Sequence, residues 1–499
     1  MTAKLKKVDF EEALTMTGFG KYNLFMLMLV GGMLMCIAFE TVSVAYIVPT
    51  SACELETDTS QQGLIAAIPL VGIMVTSNLW GYLADTRGRR KVLIWSLGLG
   101  FVAGALATLS PNWIALCLLK FASSSALAGT YALAMTLLGE CTPEAKRGSM
   151  IVLTTSIYLA ATGSMALMAI PILPLEFSYY VPGLNIYFNS WRLLNLVYSI
   201  PCLIVAIAFF WSYESPKYLL SVGREQEALD VLRTMFAINT NQAGDLYLVE
   251  AVTLGESQKS SGKYENLWQS VKSQTLPLFR SPLSKSTLLL SIIFVTVYFS
   301  YNPYVVWLPN IADSFMRSIQ RGETGLTMCQ MIRATQNATT SHQSDCSLDQ
   351  FAMLMIMSIN IILSILNLII TAVLKYCSRK TILICIQLIA GSAAICINFS
   401  SHYVVTGLLV IVFVSGVLNF GFTITFSVDI FPTYVKAMGV CVTLMIGRGS
   451  AVLGINLLKH LLVYSCETSF YLFGSIAIFG GICALLLPSG STRKTEEDS

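Results

Sequence analysis

Long apolar runs separated by short polar segments dominate this chain. An apolar run of about 20 residues is long enough to cross the hydrocarbon core of a bilayer as an α-helix. The first run is long and follows a charged segment, so we interpret it as a spanning helix rather than a cleaved signal peptide. Twelve spans are predicted, at residues 22–48, 63–84, 92–110, 113–138, 149–170, 193–213, 287–306, 351–374, 381–398, 403–428, 437–462 and 469–487.

A hydrophilic segment divides the predicted spans into two groups of six. The pattern therefore predicts an all-α membrane protein made of two six-helix bundles. Within the hydrophilic segment, Ala228, Leu229, Leu232 and Met235 have helical spacing, which predicts an amphipathic helix. The predicted domains are residues 1–213 for the first bundle, 214–286 for a cytoplasmic central loop, 287–488 for the second bundle with an outer loop at 308–350, and 489–499 for a cytoplasmic tail.

Composition and charge agree with a membrane protein and indicate its orientation. The chain is 55% hydrophobic and 12% charged, whereas roughly 25% of a soluble domain is charged. Basic residues cluster before the first span and after even-numbered spans, at 4–7, 87–91, 146–147 and 375–380, whereas the loops 49–62 and 398–402 contain none. Short basic loops are retained in the cytoplasm, so we expect both termini there. The net charge of +3 follows from this rule and indicates no nucleic-acid partner.

The outer loop carries candidates for covalent modification. Asn337 begins an Asn-Ala-Thr sequon and could be glycosylated on the outer side. Cys329 and Cys346 lie in the same loop and are candidates for a disulfide. Cys53 and Cys466 are also predicted on the outer side, so other pairings remain open.

The segment Gly81–Lys91, between the second and third spans, is strongly basic but contains one acid. Its pattern is G-x-x-x-D-x-x-G-R-[RK], with the signature positions Gly81, Asp85, Arg89 and Arg90. This chain thereby resembles the major facilitator transporters. The resemblance implies that Asp85, which Arg89 can pair with, holds the first bundle against the start of the eleventh helix when the inner side is closed. A carboxylate near a helix N-terminus contributes roughly 0.3–1 kcal/mol.

A charge motif recurs after the fourth and the tenth spans. An acid, a helix-starting proline and a base have the same spacing in both halves, at Glu140, Pro143 and Arg147, and at Asp429, Pro432 and Lys436. The halves of this kind of transporter are related by an axis along the membrane normal. The resemblance implies that Glu140 pairs with Arg147, and Asp429 with Lys436, in inner-side contacts that break on opening.

Further motifs resemble the sugar-porter and organic-ion branch, and within it the synaptic vesicle glycoproteins. They are residues 48–52, 188–192, 214–219, 299–309 and 451–455. The chain departs from these glycoproteins in the first span, where they have two acids three residues apart: Ile37 replaces the first acid, and only the second remains, as Glu40. The tenth span has Ile424 where a matching acid would lie.

Charged residues inside predicted spans are expected to have a structural or functional role, because inserting each into the bilayer costs a free energy of roughly 2.5–3.5 kcal/mol. Glu40 in the first span could bind a proton or a cationic group, or pair with a base for structure. Lys120 in the fourth span could be its counter-charge, bind an anionic group or extend to an interface. Arg448 in the eleventh span lies between Gly447 and Gly449, which would let a helix or a ligand approach closely.

Aromatic residues follow at three-residue steps near the outer end of the seventh span: Tyr298, Tyr301, Tyr304 and Trp307. The last three are candidates to contact a substrate as an outer gate, and the alternative is an interfacial aromatic belt. Pro303 should break the helix there, because proline removes a backbone donor.

The leading hypothesis is a secondary transporter of a small polar or charged organic solute, working by alternating access, with proton coupling through Glu40 as a further hypothesis. The alternative is a non-transporting glycoprotein of the vesicle or plasma membrane that uses this fold for trafficking or partner binding. The sequence has no ATP-binding P-loop, nucleophile motif or clustered metal ligands, so we expect neither an enzyme nor a cofactor. We expect a monomer in the lipid bilayer.

Overall fold

Helices make up most of the chain. The computed structural model describes residues 7–253, 275–281, 283–323, 325–341, 348–374, 376–432 and 435–487, and the side chains of all of these except 85, 336–341, 436 and 437. Twelve helices of these described residues are long and apolar enough to cross a bilayer, and every predicted span lies on one of them. Counted as spans one to twelve, they are Lys21–Ser51, Thr59–Arg87, Arg89–Ala107, the interrupted pair Trp113–Leu127 and Thr130–Glu140, Glu144–Ile172, Ser190–Ala208, Leu283–Gln320, Gln350–Val373, Arg379–Ile397, the interrupted pair Tyr403–Val414 and Asn419–Ile430, Lys436–Tyr464 and Cys466–Ala484.

Shorter elements connect the spans. They are the helices Phe10–Met16, Pro216–Ser221, Glu225–Thr240 and Met328–Ser341, and the 3-10 turns Phe209–Trp211, Gly244–Leu246, Leu276–Phe279 and Ser415–Leu418. Val8–Asp9 pairs in parallel with Val252–Thr253, and Tyr179–Val181 pairs antiparallel with Ile186–Phe188. The predicted amphipathic helix is confirmed, since all four of its apolar residues are buried in Glu225–Thr240.

The amino-terminal segment is tied to the central segment between the two halves. The Tyr247 hydroxyl donates to the Ala13 carbonyl at 2.6 Å. The Asn239 side chain donates to the Thr17 carbonyl at 3.2 Å and accepts from the Tyr22 N–H at 3.0 Å. The described part of the central segment therefore packs against the start of the first bundle.

The fourth span is interrupted at Ala128–Gly129, midway along its length. Carbonyl groups freed by the interruption need new donors, because lipid supplies none. The Ser125 carbonyl accepts from Trp80 Nε1 at 2.7 Å and from the Thr76 hydroxyl at 2.9 Å. Side chains of the second span thus replace the missing helical hydrogen bonds.

The tenth span is interrupted at the corresponding place by the 3-10 turn Ser415–Leu418. Tyr301 packs so closely on this turn that a Cβ atom at Gly416 would lie 2.1 Å from its ring. A 3-10 stretch inside a helix often marks a hinge. Interruptions at equivalent positions of the two halves agree with an internal repeat.

The seventh span does not break at Pro303, so that prediction is wrong. The helix Leu283–Gln320 continues through Pro303 and Pro309. A Cβ atom at Gly454 of the eleventh span would lie 2.8 Å from the Pro303 ring and 3.2 Å from the Phe299 carbonyl. Because glycine has no side chain, the eleventh span packs directly over the carbonyl that proline leaves unpaired. The helix consequently continues past residue 308, where the outer loop was expected to begin.

A disulfide joins Cys329, at the start of the helix Met328–Ser341, to Cys466 at the start of the twelfth span. The expected pairing of Cys329 with Cys346 is therefore wrong, because the fold brings Cys466 to a Cα–Cα distance of 5.5 Å across 137 residues of sequence. Cys53 is also disulfide-bonded, and Cys346 lies outside the described residues. We call this end of the spans the disulfide end, and the end that carries Gly81–Lys91 the motif end.

Among the described buried residues, a large apolar cluster shared by the two halves lies toward the disulfide end. There Tyr46 of the first span and Trp307 of the seventh belong to one cluster of buried side chains. Toward the motif end, Leu93 and Leu137 of the first half belong to a separate cluster that includes the central segment. Among the described residues, the shared apolar packing of the halves thus lies toward the disulfide end.

Replacing Gly391 with valine is expected to destabilise the second half. A Cβ atom there would lie 2.7 Å from Ile478 Cγ1 and 2.8 Å from the Gly474 carbonyl, where the ninth and twelfth spans cross. Overpacking of this kind costs about 1–3 kcal/mol, which a lower melting temperature in detergent would report. Gly407→Val is the control, since a Cβ atom at Gly407 meets no described atom within 4 Å. Equal melting temperatures for the two variants would contradict the expectation.

Candidate binding cavity

A cavity of about 250 Å³ lies between the two halves, just below the range of about 300–1,000 Å³ usual for small-molecule sites. Spans one, two, four and five line it on one side, and spans seven, eight, ten and eleven on the other. Much of the wall is apolar, as at Ile37, Leu70 and Phe420. The cavity therefore has room for one small molecule, and both halves would contact it.

Polar side chains join the fifth and eighth spans at the cavity. The Thr162 hydroxyl lies 2.6 Å from Asn360 Oδ1, and Asn367 donates to Ser156 Oγ at 3.2 Å. A Cβ atom at Gly163 would lie 3.1 Å from Asn360 Cβ, so the two helices cross closely here. These hydrogen bonds connect the two halves beside the cavity.

Arg448 is the one charged residue in the cavity wall among the described residues. A Cβ atom at Gly447 would lie 3.1 Å from the Tyr298 ring, and one at Gly449 would lie 3.8 Å from Met74 sulfur. The glycines beside Arg448 therefore let the seventh and second spans approach. This close packing fixes the backbone from which the guanidinium reaches the cavity.

Glu40 and Lys120 form a buried pair beside the cavity rather than in its wall. Lys120 Nζ lies 3.5 Å from Glu40 Oε2 and donates to Ser43 Oγ at 2.9 Å. The side chain of Lys120 is 1% exposed and that of Glu40 is 6% exposed. Ile37 and Thr41, on the same helix as Glu40, do line the cavity. Glu40 Oε1 has no hydrogen-bond partner among the described atoms.

The predicted gate residues Tyr301, Tyr304 and Trp307 lie in the core of the second half and are absent from the described cavity wall. The Tyr304 hydroxyl donates to Ser469 at 3.1 Å, and Trp307 Nε1 donates to the Ile455 carbonyl at 3.1 Å. An α-helix has about 3.6 residues per turn, so each three-residue step rotates by about 60°. Tyr298 lines the cavity. The three later aromatic residues are rotated step by step away from the side of the helix that faces the cavity.

The charged motif residues of the first half pair differently from the prediction. Glu140 forms an ion pair with Arg89 and accepts from Ser215 Oγ at 2.5 Å. Arg147 instead pairs with Glu11 of the amino-terminal helix at 3.0 Å. The expected pair of Glu140 with Arg147 is therefore not formed in this conformation, in which the end of the fourth span packs beside the start of the third.

The second half repeats this arrangement. Asp429, at the end of the tenth span, pairs at 3.1 Å with Arg379 at the start of the ninth, whereas the side chain of its predicted partner Lys436 lies outside the described ones. Because the ninth span corresponds to the third, Arg379 and Asp429 are the counterparts of Arg89 and Glu140. Each half thus joins the same two helix ends by one ion pair.

The next basic residue also has the same partners in both halves. Arg90 donates to the carbonyls of Phe209 and Phe210 at the end of the sixth span, at 3.1 and 2.9 Å. Lys380 donates at 2.8 Å to the Leu485 carbonyl at the end of the twelfth span. Basic side chains near helix C-termini can bind the last free carbonyls in this way.

Some predicted residues lie outside the described side chains, namely Asp85, Asn337 and Lys436. Asp85 is on the second span, Lys436 begins the eleventh, and Asn337 is on the helix Met328–Ser341. A Cβ atom at Gly81 would meet no described atom within 4 Å. No close helix approach is therefore seen at this signature glycine among the described atoms.

Two six-helix bundles around a central cavity define a membrane transporter of the major facilitator type. The family model for sugar (and other) transporters matches residues 13–307 of this chain. The chain belongs to that family, and it is an integral, multi-pass membrane protein. The family consists of transporters rather than enzymes.

Relatives and solved structures agree with this assignment. "Putative transporter svop-1" of Caenorhabditis elegans is 25% identical over 99% of this chain and 88% of its own. "Organic cation/carnitine transporter 7" of Arabidopsis thaliana is 24% identical over 98% and 96%. Human "Synaptic vesicle glycoprotein 2B" is 24% identical over 62% of this chain and only 48% of its own. The inward-open xylose transporter XylE of E. coli has the same fold, with a TM-score of 0.68 at 13% identity, covering 95% of this chain and 97% of its own.

Proposed function

We propose that this protein carries a small polar or charged organic solute across a membrane, by alternating access of the central cavity to its two ends. The two bundles rock against each other around the bound solute. Thr162 of the fifth span and Asn360 of the eighth join the two bundles by a hydrogen bond beside the cavity.

One observation carries the proposal: the cavity lies between two halves whose described buried residues share a large apolar cluster toward the disulfide end. Tyr46 and Trp307 belong to that shared core. Near the same end, Ser60 Oγ lies 3.5 Å from His460 Nε2, across the second and eleventh spans. The basic loops indicate that the motif end is cytoplasmic, so the described conformation corresponds to the inward-facing state.

Proton coupling is proposed for the pair of Glu40 and Lys120. The carboxylate has one basic partner, and its second oxygen has none among the described atoms. A buried carboxylate whose counter-charge moves away favours its protonated form. Thr41 is adjacent to Glu40 and lines the cavity, so a change at the pair can reach the solute.

The test is uptake from a mixed pool of metabolites into liposomes that contain the purified protein, with an imposed pH gradient and mass-spectrometric detection. The wild type should concentrate at least one compound, whereas Glu40→Gln should only equilibrate it. Equal concentration by Glu40→Gln would remove the coupling proposal. Absence of any uptake by folded protein would favour the non-transporting glycoprotein instead.

A cross-link at the disulfide end should stop transport. A Cβ atom at Gly63 of the second span would lie 3.5 Å from Asn456 Cα of the eleventh, so cysteines at both positions can form a disulfide. The oxidised double variant Gly63→Cys with Asn456→Cys should lose most uptake and regain it after mild reduction. Asn456→Cys alone, treated identically, controls for the native disulfides. Undiminished uptake by the fully cross-linked protein would contradict alternating access.

A further inference from the structure

We propose that the solute is an organic anion whose carboxylate binds Arg448 together with the hydroxyl groups of Tyr131, Tyr158 and Tyr298. This inference rests on the proposed transport function and specifies the chemical class of its substrate. It is based on the position of Arg448 in the cavity wall and on the side chains that line the wall near it.

The guanidinium of Arg448 lacks a counter-charge in the described part of the chain. No ion pair within 4 Å joins it to any described carboxylate. It also makes none of the cation–π contacts found among the described residues. A charge at membrane depth is costly unless it is paired or solvated, and an anionic solute would supply the missing partner.

Three tyrosines line the cavity near this charge. Tyr131, Tyr158 and Tyr298 all line the cavity and lie close enough to Arg448 for electrostatic interaction. A tyrosine O–H donates one hydrogen bond, and a guanidinium presents five N–H donors. A carboxylate accepts several hydrogen bonds on two oxygens, and bonds to charged groups are the stronger kind.

The donors come from both halves of the molecule. Tyr131 and Tyr158 belong to the fourth and fifth spans, whereas Tyr298 and Arg448 belong to the seventh and eleventh. A carboxylate bound by all four residues would bridge the halves. Solute binding would thereby favour arrangements in which the halves are close, which alternating access requires.

A cationic solute does not suit this cavity. Its wall has a positive charge at Arg448. Glu40, which is next to the lining residue Thr41 in sequence, lies outside the wall and is paired with Lys120. Phe420, stacked on Tyr298 at 4.5 Å, adds an apolar surface beside the charge. A compact carboxylate with an apolar or aromatic body matches both features.

The test uses a panel of matched compounds that share one body and differ in charge, such as benzoate, benzamide and benzylamine. Binding is measured as ligand-induced thermal stabilisation of the full-length protein in nanodiscs. We expect carboxylates to stabilise the wild type more than their amides or amines. Arg448→Gln should weaken carboxylate binding by roughly 10- to 100-fold, the range for losing hydrogen bonds to a charged group. Arg448→Lys should restore part of it.

Lys459→Gln is the matched control. Lys459 is a cation of the same helix, placed over the Trp307 ring at 4.5 Å and absent from the cavity wall. Unchanged carboxylate binding in this variant would assign the effect to Arg448. Preference for neutral or cationic members, equal carboxylate binding by Arg448→Gln, or no carboxylate binding at millimolar concentration would each overturn the inference.

Uptake measurements on the same variants separate this inference from the transport proposal. Carboxylates that bind through Arg448 but never enter liposomes would refute transport and leave the anion site standing. Transport of a neutral solute by both the wild type and Arg448→Gln would refute the anion site and leave transport standing.

Discussion

Replacing Arg192 with methionine is expected to lower the stability of the folded protein by about 1–3 kcal/mol, the usual effect of leaving buried acceptors without their donor; the remaining carboxylate, Glu54, is 25% exposed and stays partly solvated. The Arg192 side chain is fully buried and lies 2.7 Å from Glu54 Oε1. Its guanidinium also donates to the carbonyls of Thr108 and Ser110 at 2.7 and 2.9 Å. The variant would leave all three acceptors without this donor.

The arrangement around Arg192 joins three connections at the disulfide end. Glu54 follows the first span, Thr108 and Ser110 follow the third, and Arg192 begins the sixth. Glu54 Oε2 also accepts from Asn189 at 2.6 Å and Trp191 at 2.7 Å. The Glu54 carboxylate accepts hydrogen bonds from three side chains. Removing Arg192 should therefore loosen the packing at this end of the first bundle.

The measurement is the apparent melting temperature in detergent, together with the yield of monodisperse protein. Arg192→Met should melt at least about 5 °C lower than the wild type. Arg224→Met is the control, because Arg224 pairs with Glu227 while both are 53% exposed, and such surface pairs contribute little. Similar melting of the two variants would show that the buried arrangement does not stabilise the fold.

The spans could be predicted because a bilayer leaves the backbone few choices. Lipid provides no hydrogen-bond partners, so a long apolar run must form a helix, and all twelve predicted runs are helical in the described residues. The interruptions at Gly129 and Gly416 were missed. They depend on side chains of other spans, Trp80 and Tyr301, which supply or replace contacts that the local sequence does not reveal.

The partners of charged and cysteine residues could not be predicted from spacing. Arg89 and Glu140 meet because the third and fourth spans are neighbours, although fifty residues separate them in sequence. The basic pairs at residues 89–90 and 379–380 have equivalent partners in the two halves. A repeat in three dimensions thus persists where only its basic residues remain in the sequence.

The cavity itself was predicted only in part. Arg448 was identified because a charge inside a span needs a reason, and it does line the cavity. Glu40 and Lys120 satisfied the same criterion but pair with each other outside the wall. Uncharged residues such as Tyr131 and Asn360 carry no such signal, because tyrosine and asparagine are common in helix packing.

Replacing Lys120 with methionine should also destabilise the protein by about 3–5 kcal/mol, because the Glu40 carboxylate would remain buried without its base. Only 6% of the Glu40 side chain is exposed, and its Oε1 already lacks a partner among the described atoms. Protonation would remove the isolated charge, so the destabilisation should shrink as the pH is lowered.

The double variant Glu40→Gln with Lys120→Met should recover most of the lost stability, because replacing both charges leaves no unpaired ion. Melting temperatures of the wild type, both single variants and the double variant form a cycle, whose non-additive part measures the coupling of the pair. We expect a coupling of at least about 1 kcal/mol, in the range of 0.5–3 kcal/mol found for residues in contact. Strict additivity would mean that the two charges are independent, and proton coupling through their separation would lose its physical basis.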